Sequence, residues 1–186
     1  MKIGITGGIV SGKSYVCQRL KAHGIDVYDC DAAAKRLIRT STTIRQQLTA
    51  LIGPEVYIGD QLDKAVVAHF LLESEANAKA IDQIVHPAVF RDFEESGMEW
   101  MESAILCESG INQLVDRVIV VTAPEEVRIQ RVMQRDVISR EKTLQWIQRQ
   151  WPQEEVRQRA DYEIINDGKA DIDEQIARLL PILQKK

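Results

Sequence analysis

The sequence predicts an α/β fold in which helices flank a five-stranded parallel sheet. Three observations predict it: a glycine-rich loop follows an apolar strand at the N-terminus, a continuous β-branched run stands at 117–121, and segments with helical periodicity separate the strand-like runs. Strands that alternate with helices favour parallel pairing, because a crossover helix returns the chain to the same edge of the sheet. The expected strands lie within 3–5, 24–31, 98–106, 117–121 and 161–165.

The glycine-rich loop spans residues 7–14 and has the P-loop spacing Gly-x-x-x-x-Gly-Lys-Ser. A phosphate chain is held by a ring of backbone N–H groups, and glycine lets that backbone wrap closely around an anion. The expected strand at Ile3 and Ile5 precedes the loop, and an expected helix over Tyr15 to Ala22 follows it. This context predicts a nucleotide site rather than a chance match in a glycine-rich turn.

Three residues of the loop suit separate tasks on a bound nucleotide. Lys13 is predicted to reach the β and γ phosphates, and the hydroxyl of Ser14 to hold Mg²⁺. The helix that begins near Gly12 would add unpaired amides and the positive end of its dipole.

Two aspartates, Asp29 and Asp31, end the second expected strand, just before a helix expected over Ala32 to Arg39. If the extended conformation persists through Cys30, both carboxylates point to one side of the strand end, where ligands bind in open α/β sheets. A carboxylate there could orient an acceptor hydroxyl and take its proton. The alternative for Asp31, and for either aspartate taken alone, is a helix N-cap, which is a common use of aspartate.

The stretch from 40 to about 95 predicts a helical subdomain inserted into a single domain that spans 1–186. Its pattern is helical, with little sign of a strand and with breaks at Gly53-Pro54, Gly59-Asp60 and His86-Pro87. A proline favours an extended or turn conformation at the preceding residue. Such a subdomain could form one wall of a substrate cleft.

A helical lid is expected at about 124–150. The segment Thr122 to Glu125 has the form of a capping box with proline in the first turn, so a helix should begin there. Arg128, Arg131 and Arg135 follow helical spacing and should share one face. Guanidinium groups there could neutralise a transferred phosphoryl group, and the alternative is a solvated charged face.

The end of the chain is expected to complete the sheet. A last strand over 161–165 leads into a turn at 166–168 and an amphipathic helix over 171–180. Pro181 should end or kink that helix.

Length and composition exclude several classes of protein. At 186 residues the chain fits one domain with an elaboration. A formal net charge of −4, with acids and bases interspersed, argues against a nucleic-acid partner. Three cysteines without Cys-x-x-Cys spacing suggest neither disulfides nor zinc. A strand that starts at Lys2 leaves no room for a signal peptide, and no run has the roughly 20 apolar residues of a membrane span, so a cytoplasmic protein is expected.

Two other functions stay open on the residues alone. Another small-molecule or nucleoside monophosphate kinase would share this architecture. A nucleotide-dependent switch or binding module would share the loop, although a GTPase normally carries an Asn-Lys-x-Asp segment, which the sequence lacks.

Taken in order, the motifs resemble those of the dephospho-coenzyme A kinase family over nearly the whole chain. The family's loop stands here at Thr6 to Ser14, and its Asp-x-Asp stands at Asp29 to Asp31, followed by Ala34-Lys35-Arg36. The P-loop alone is shared by many kinases, whereas the ordered set is much more specific. The other matching segments are Gly59-Asp60-Gln61-Leu62-Asp63, His86-Pro87, Leu106-Cys107-Glu108, Gln134-Arg135-Asp136, Gln150, Ala160-Asp161 and Asn166-Asp167-Gly168.

The resemblance implies a P-loop NTPase fold and an ATP- and Mg²⁺-dependent kinase. The γ-phosphate would pass to the ribose 3′-hydroxyl of 3′-dephospho-CoA, a small-molecule substrate, and the kinase would act as a monomer or small homo-oligomer. The implied catalytic residues are Asp31 as general base with Lys13, Arg135 and Arg140, and Ser14 is the implied metal ligand. The implied ATP-binding residues are Gly8, Ile9, Val10, Ser11, Gly12, Lys13, Ser14, Tyr15 and Asn166.

Two residues depart from the family pattern, Ala104, which replaces a proline and should matter less, and Val10. Val10 stands where the family's loop has glycine. If that position needs a positive φ, valine costs about 1–3 kcal/mol in local strain, so the loop would be shifted or less active.

Overall fold

A computed structural model describes residues 1–183 and confirms the α/β class with a five-stranded parallel sheet. The strands are β1 (Ile3–Thr6), β2 (Val27–Asp29), β3 (Tyr57–Ile58), β4 (Gln61–Leu62), β5 (Trp100–Glu102), β6 (Arg117–Thr122) and β7 (Tyr162–Ile165). The α-helices are α1 (Lys13–Ala22), α2 (Cys30–Thr40), α3 (Thr42–Ile52), α4 (Lys64–Glu73), α5 (Glu75–Ser96), α6 (Glu125–Asp136), α7 (Arg140–Gln148), α8 (Gln153–Gln158) and α9 (Ile172–Leu183).

The sheet has the strand order β2-β5-β1-β6-β7, which puts β1 at its centre. Gly4 of β1 lies in parallel register with Met101 of β5 on one side and Val118 of β6 on the other. Apolar residues of β1, β6, β7, α1 and α9 pack into one core. Every residue of β1 is buried, as expected for a sheet covered on both faces. The sheet therefore fixes the chain where β1 ends and the glycine-rich loop begins.

The chain divides into two compact units. One consists of Met1–Tyr28 and the chain from Met98 onward, and it contains the glycine-rich loop, α1 and helices α6 to α9. The other, Asp29–Gly97, contains helices α2 to α5. Within residues 1–183, no helix has both the length and the apolar character needed to cross a membrane.

The unit Asp29–Gly97 differs in two ways from the expectation. A two-stranded antiparallel hairpin, β3 and β4, interrupts the helices, so the expectation of no strand there is wrong. Its strands have two residues each, too few for a visible period, and Gly59 turns the chain with φ 64°. The expected break at His86-Pro87 is also wrong, because α5 continues through it.

The continuity of α5 through Pro87 has a tertiary cause. Proline in a helix interior costs about 3 kcal/mol because it removes one hydrogen bond and crowds the preceding turn. Val85, Val89 and Phe93, on both sides of the proline, are buried at 5% exposure or less. Their burial outweighs the cost of Pro87. In the same way α9 continues past Pro181 to the buried Leu183, so the helix does not end at this proline, and the alternative of a kink there stays a prediction.

The capping box predicted at Thr122 to Glu125 is not formed. Thr122 is the last residue of β6, and its hydroxyl donates to Glu163 Oε1 at 2.7 Å. Pro124 is the N-cap residue of α6 and supplies no side-chain hydrogen bond. A break at 137–139 separates α6 from α7.

Candidate active site

The glycine-rich loop connects β1 to α1 and has little free space around its glycines. Gly7 has φ 152° and Gly12 has φ 102°, conformations that a side chain rarely adopts. A Cβ atom on Gly7 would collide with the Val121 carbonyl oxygen, and one on Gly12 would collide with Asn166 Nδ2. Glycine is therefore required at both positions by conformation and by space.

The start of α1 has the features of an anion site. The helix begins at Lys13 after Gly12, which has no side chain to cap it, so the first-turn amides remain for an anion. Lys13 Nζ donates to the Gly7 carbonyl at 2.9 Å, which holds the ammonium group against the loop. Ser11 Oγ is buried and has no hydrogen-bond partner among the described residues, as expected where a ligand is to bind. These residues fit a nucleotide phosphate chain.

Ser14 and Tyr15 are exposed in the first turn of α1. The role of Ser14 as a metal ligand stays a prediction. Among residues 1–183, no group of three or more His, Cys, Asp or Glu side chains could hold a metal ion. Mg²⁺ in kinases is usually held by one or two protein oxygens and the substrate phosphates, so Ser14 fits that arrangement.

Val10 adopts the left-handed conformation, with φ 55°. Such a φ is an outlier for a β-branched residue and costs about 1–3 kcal/mol. The positive φ on which the predicted strain depended is therefore present.

Arg128 of α6 is buried against the glycine-rich loop. Its side chain is only 4% exposed, and its Nε donates to the Ile9 carbonyl at 3.0 Å. A Cβ atom on Gly8 would lie 2.5 Å from Arg128 Nη2, so the guanidinium packs directly on that glycine. Burial lowers the pKa of Arg128, and Glu125 partly offsets this effect. Arg128 therefore binds the loop backbone and is not exposed on the surface of a lid.

Asn166, predicted to be near the nucleotide, lies against the same loop. Its Nδ2 donates to the Ser11 carbonyl at 2.8 Å, and its backbone N–H donates to the Thr122 carbonyl at 2.7 Å. Arg131 Nη2 donates to the Asn166 carbonyl at 3.1 Å. Arg131 Nη1 also approaches the carbonyl oxygens of Val10 and Ser11 at 3.5 and 3.4 Å. The ends of β6 and β7 are thus tied to the loop.

Gln150 is a contact that was not among the predicted site residues. It follows α7, and its Oε1 accepts the Ile9 N–H at 2.6 Å. The signal that could have found it was its place in the ordered family motifs. Arg128 was considered only as one of three arginines on a helix face, either in a lid or in solvent, and not as a partner of the loop backbone.

Arg135 and Arg140 make no hydrogen bond to the loop among those found for the described residues. Arg135 donates from Nε and Nη2 to Asp136 Oδ2 at 3.0 and 2.7 Å. Arg140 forms a two-point ion pair with Glu126, with both distances 2.8 Å. The expected common face of three arginines is therefore divided, because Arg128 and Arg131 turn to the loop while Arg135 is solvent-exposed. Their role at a transferred phosphate stays a prediction.

The two aspartates after β2 have different positions. The strand ends at Asp29 and α2 begins at Cys30, so the expectation that the extended conformation persists through Cys30 is wrong. Asp29 is the N-cap and accepts the Ala32 N–H at 2.8 Å. Asp31 is exposed in the first turn of α2. The N-cap that the sequence left open for either aspartate is formed by Asp29.

A comparison with protein families decides the assignment. The family described as dephospho-CoA kinase matches residues 1–172 of the chain. The chain belongs to the dephospho-CoA kinase family. A dephospho-CoA kinase of Bacteroides fragilis is 40% identical over 193 residues, an alignment that covers 100% of this chain and 94% of the relative.

Solved structures share the fold of this chain. TT1252 from Thermus thermophilus aligns with a TM-score of 0.85 and 33% identity, covering 100% of this chain and 98% of the other. A dephospho-CoA kinase from Campylobacter jejuni aligns with a TM-score of 0.67 and 20% identity, covering 98% of each chain, which supports the P-loop kinase fold. The chain is an ATP-dependent kinase that acts on a small molecule.

Proposed function

We propose that this dephospho-CoA kinase family member transfers the γ-phosphoryl group of ATP to the ribose 3′-hydroxyl of 3′-dephospho-CoA, giving coenzyme A and ADP. The observation that carries the proposal is the family match over residues 1–172, which includes the loop, the Asp-x-Asp segment and both predicted lid arginines. The intact glycine-rich loop supports it, because its two essential glycines and Lys13 have the conformation and contacts described above.

The ATP site uses the loop and the end of β7. Backbone amides of the loop and of the first turn of α1 surround the phosphates, Lys13 contacts the β and γ groups, and Asn166 closes the other side of the loop. The Ser14 hydroxyl takes part in holding Mg²⁺. When bound, Mg²⁺ neutralises negative charge on the phosphates and helps to hold them in line for transfer.

Asp31 is the general base in this proposal. An exposed carboxylate can accept a hydrogen bond from the acceptor hydroxyl, orient it and take its proton as the new P–O bond forms. Asp29 is occupied as the N-cap of α2 and has a structural role. In this proposal Asp31 therefore acts as the base and Asp29 caps α2, two roles that the sequence alone did not assign to one aspartate or the other.

The helical insert at about 40–95 receives the acceptor, and the segment at about 124–150 acts as the lid. For Arg140 to contact a phosphate, its two-point pair with Glu126 has to open. A phosphate offers the guanidinium the same planar, two-point recognition as a carboxylate, so the exchange conserves the hydrogen bonds. Until ATP binds, Arg135 and Arg140 would thus remain in exposed ion pairs with Asp136 and Glu126.

The proposed compartment is the cytoplasm, with the protein a monomer or small homo-oligomer. Cys17, Cys30 and Cys107 form no disulfide bond within residues 1–183, which suits a reducing compartment.

The experiment that tests the proposal measures ADP release with ATP and Mg²⁺ in the presence of different acceptors. Strong stimulation by dephospho-CoA, and none by AMP, other nucleoside monophosphates or buffer, is the expected result. Stimulation by a nucleoside monophosphate instead would assign the acceptor to that class. ATP binding without stimulation by any acceptor would replace the kinase proposal with a binding role.

A further inference from the structure

Val10 holds a backbone conformation that its own side chain opposes. The Ser11 N–H donates to the Gly8 carbonyl at 3.1 Å, so residues 8–11 form a hydrogen-bonded β-turn with Val10 at its third position. Val10 has φ 55°, and a positive φ at the third position is the mark of a type II turn, where glycine is the usual residue. Valine therefore stands where this turn favours glycine.

Rotation of a single peptide group would relieve the strain in the turn. Rotation of the central peptide, which joins Ile9 to Val10, by about half a revolution converts a type II turn into a type I turn with negative φ at both central residues. This rotation would reverse the Ile9 carbonyl and the Val10 N–H, and it would relieve the valine. The loop would then lose the arrangement of amides that surrounds a phosphate.

Two side chains hold the turn, one at the peptide group that would have to rotate and the other at the peptide group before it. Arg128 donates its Nε to the Ile9 carbonyl at 3.0 Å, which fixes the central peptide itself. Gln150 Oε1 accepts the Ile9 N–H at 2.6 Å, which fixes the peptide before it. These residues lie 119 and 141 positions further along the chain, so the rest of the fold, not the loop, sets their positions.

We propose that Arg128 and Gln150 are positioning residues that keep Val10 in the left-handed conformation required for nucleotide binding. The inference rests on the proposed function only in treating the loop as the nucleotide site, and it does not depend on the acceptor. Glycine at position 10 would adopt the positive φ at little cost. With valine there, hydrogen bonds from Arg128 in α6 and from Gln150 after α7 hold the same conformation. The loop can therefore keep its shape with a valine.

A double-mutant cycle with Val10→Gly tests this, with ADP as the probe and no acceptor present. Glycine adopts a positive φ at little cost, so the two contacts become dispensable in the Val10→Gly background. Arg128→Met removes the donor and keeps most of the side-chain length. We expect it to raise the Kd for ADP about tenfold with Val10 in place, and less than about threefold in the Val10→Gly background, as measured by titration calorimetry.

Gln150→Met is the second variant, because it removes the bond to the Ile9 N–H without deleting a buried charge. It decides the question if Arg128→Met does not fold, with the same expected rescue by Val10→Gly. Gln153 supplies the matched control, since its Oε1 accepts the Ala123 N–H at 3.2 Å, away from the turn. Gln153→Met should have the same small effect on Kd in both backgrounds.

Equal losses of ADP affinity for Arg128→Met and Gln150→Met in the two backgrounds, or no loss in either, would overturn the inference. Rescue by Val10→Gly is a result that a purely structural role would not give. Because ADP binding is measured without an acceptor, failure of the kinase proposal in the acceptor panel leaves this result standing. Failure of the cycle likewise leaves the acceptor assignment intact.

Discussion

Asn166 fills the space beside Gly12 that a Cβ atom would need. Its side-chain nitrogen also donates to the neighbouring Ser11 carbonyl at 2.8 Å, so it cannot move away without breaking that bond. Asn166 after β7 therefore requires glycine at position 12 before α1, although the two residues are more than 150 positions apart in the chain.

Gly12→Ala should abolish nucleotide binding. The added methyl group would collide with Asn166, and alanine is strained at φ 102°, so the loop must open. We expect the Kd for ADP to rise on the order of 100-fold or more, since two separate costs of about 1–3 kcal/mol combine. Gly24→Ala is the matched control, because Gly24 has φ 78° but nothing within 4 Å of a Cβ atom. It should lower the melting temperature and leave ADP affinity unchanged. Tight ADP binding by Gly12→Ala would contradict the expected collision.

Asp31→Asn should reduce turnover by about 10²–10⁴-fold, the usual contribution of a general base. ATP affinity should stay nearly constant, because asparagine keeps the shape of the side chain. Asp29→Asn is the control two residues away, and asparagine caps helices as well as aspartate does, so its activity should be close to that of the parent protein. Single-turnover kinetics and ATP titration measure the two effects separately. A fully active Asp31→Asn variant would exclude Asp31 as the base.

Val137→Gly should stabilise the protein. Val137 ends α6 with φ 51° and its side chain is 87% exposed, so glycine removes strain and little packing. The left-handed conformation costs a non-glycine residue about 1–2 kcal/mol, and part of that gain is offset by the greater freedom of glycine in the unfolded chain. A rise in the midpoint of urea unfolding at neutral pH would show the gain. The same change at Val115, which has φ −119°, should lower that midpoint.

Stability at acid pH should depend on the pair that joins α1 to α9. Arg19 Nε donates to Asp173 Oδ1 at 2.7 Å, and this hydrogen bond is the main cause that lowers the pKa of Asp173. A carboxyl group with a lowered pKa stabilises the fold fully above its unfolded pKa of about 3.9, and this contribution is lost as the pH falls through the lower folded value.

Asp173→Asn should therefore reduce stability at pH 6 and flatten the dependence of unfolding free energy on pH below about 4. Arg19→Met should cause the same flattening, because it removes the other half of the pair. Urea unfolding at a series of pH values measures both variants. An unchanged acid slope in either one would show that the pair does not couple folding to proton binding.

Local sequence signals predicted the elements of this fold that have a strong pattern. The glycine spacing and the apolar run before it placed β1, the loop and α1, and the β-branched run placed β6. The short hairpin was missed because two-residue strands show no alternation. Helix α5 was expected to break at Pro87 because the rule for proline is local, whereas the burial of Val89 and Phe93 is tertiary.

The candidate site was predicted only as far as the loop spacing and the family motifs reach. The bond from Ile9 to Gln150 and the bond from Arg128 to Ile9 join residues more than 100 positions apart, and periodicity contains no information about such pairs. Arginines at helical spacing were read as one charged face. The structure instead separates Arg128, which is buried under the loop, from the exposed Arg135.

The central position of β1 has a consequence for the order in which the chain folds. Strand β1 pairs with residues 100–102 and 117–120, which follow it by about 100 positions in the chain. The long segment between them has to close into a loop before any strand can pair with β1. The unit Asp29–Gly97 is continuous in sequence and can collapse on contacts made within itself. In pulsed hydrogen exchange during refolding, we expect amides of α5 to become protected before those of β1. The nucleotide loop would then be among the first segments made and the last to take shape.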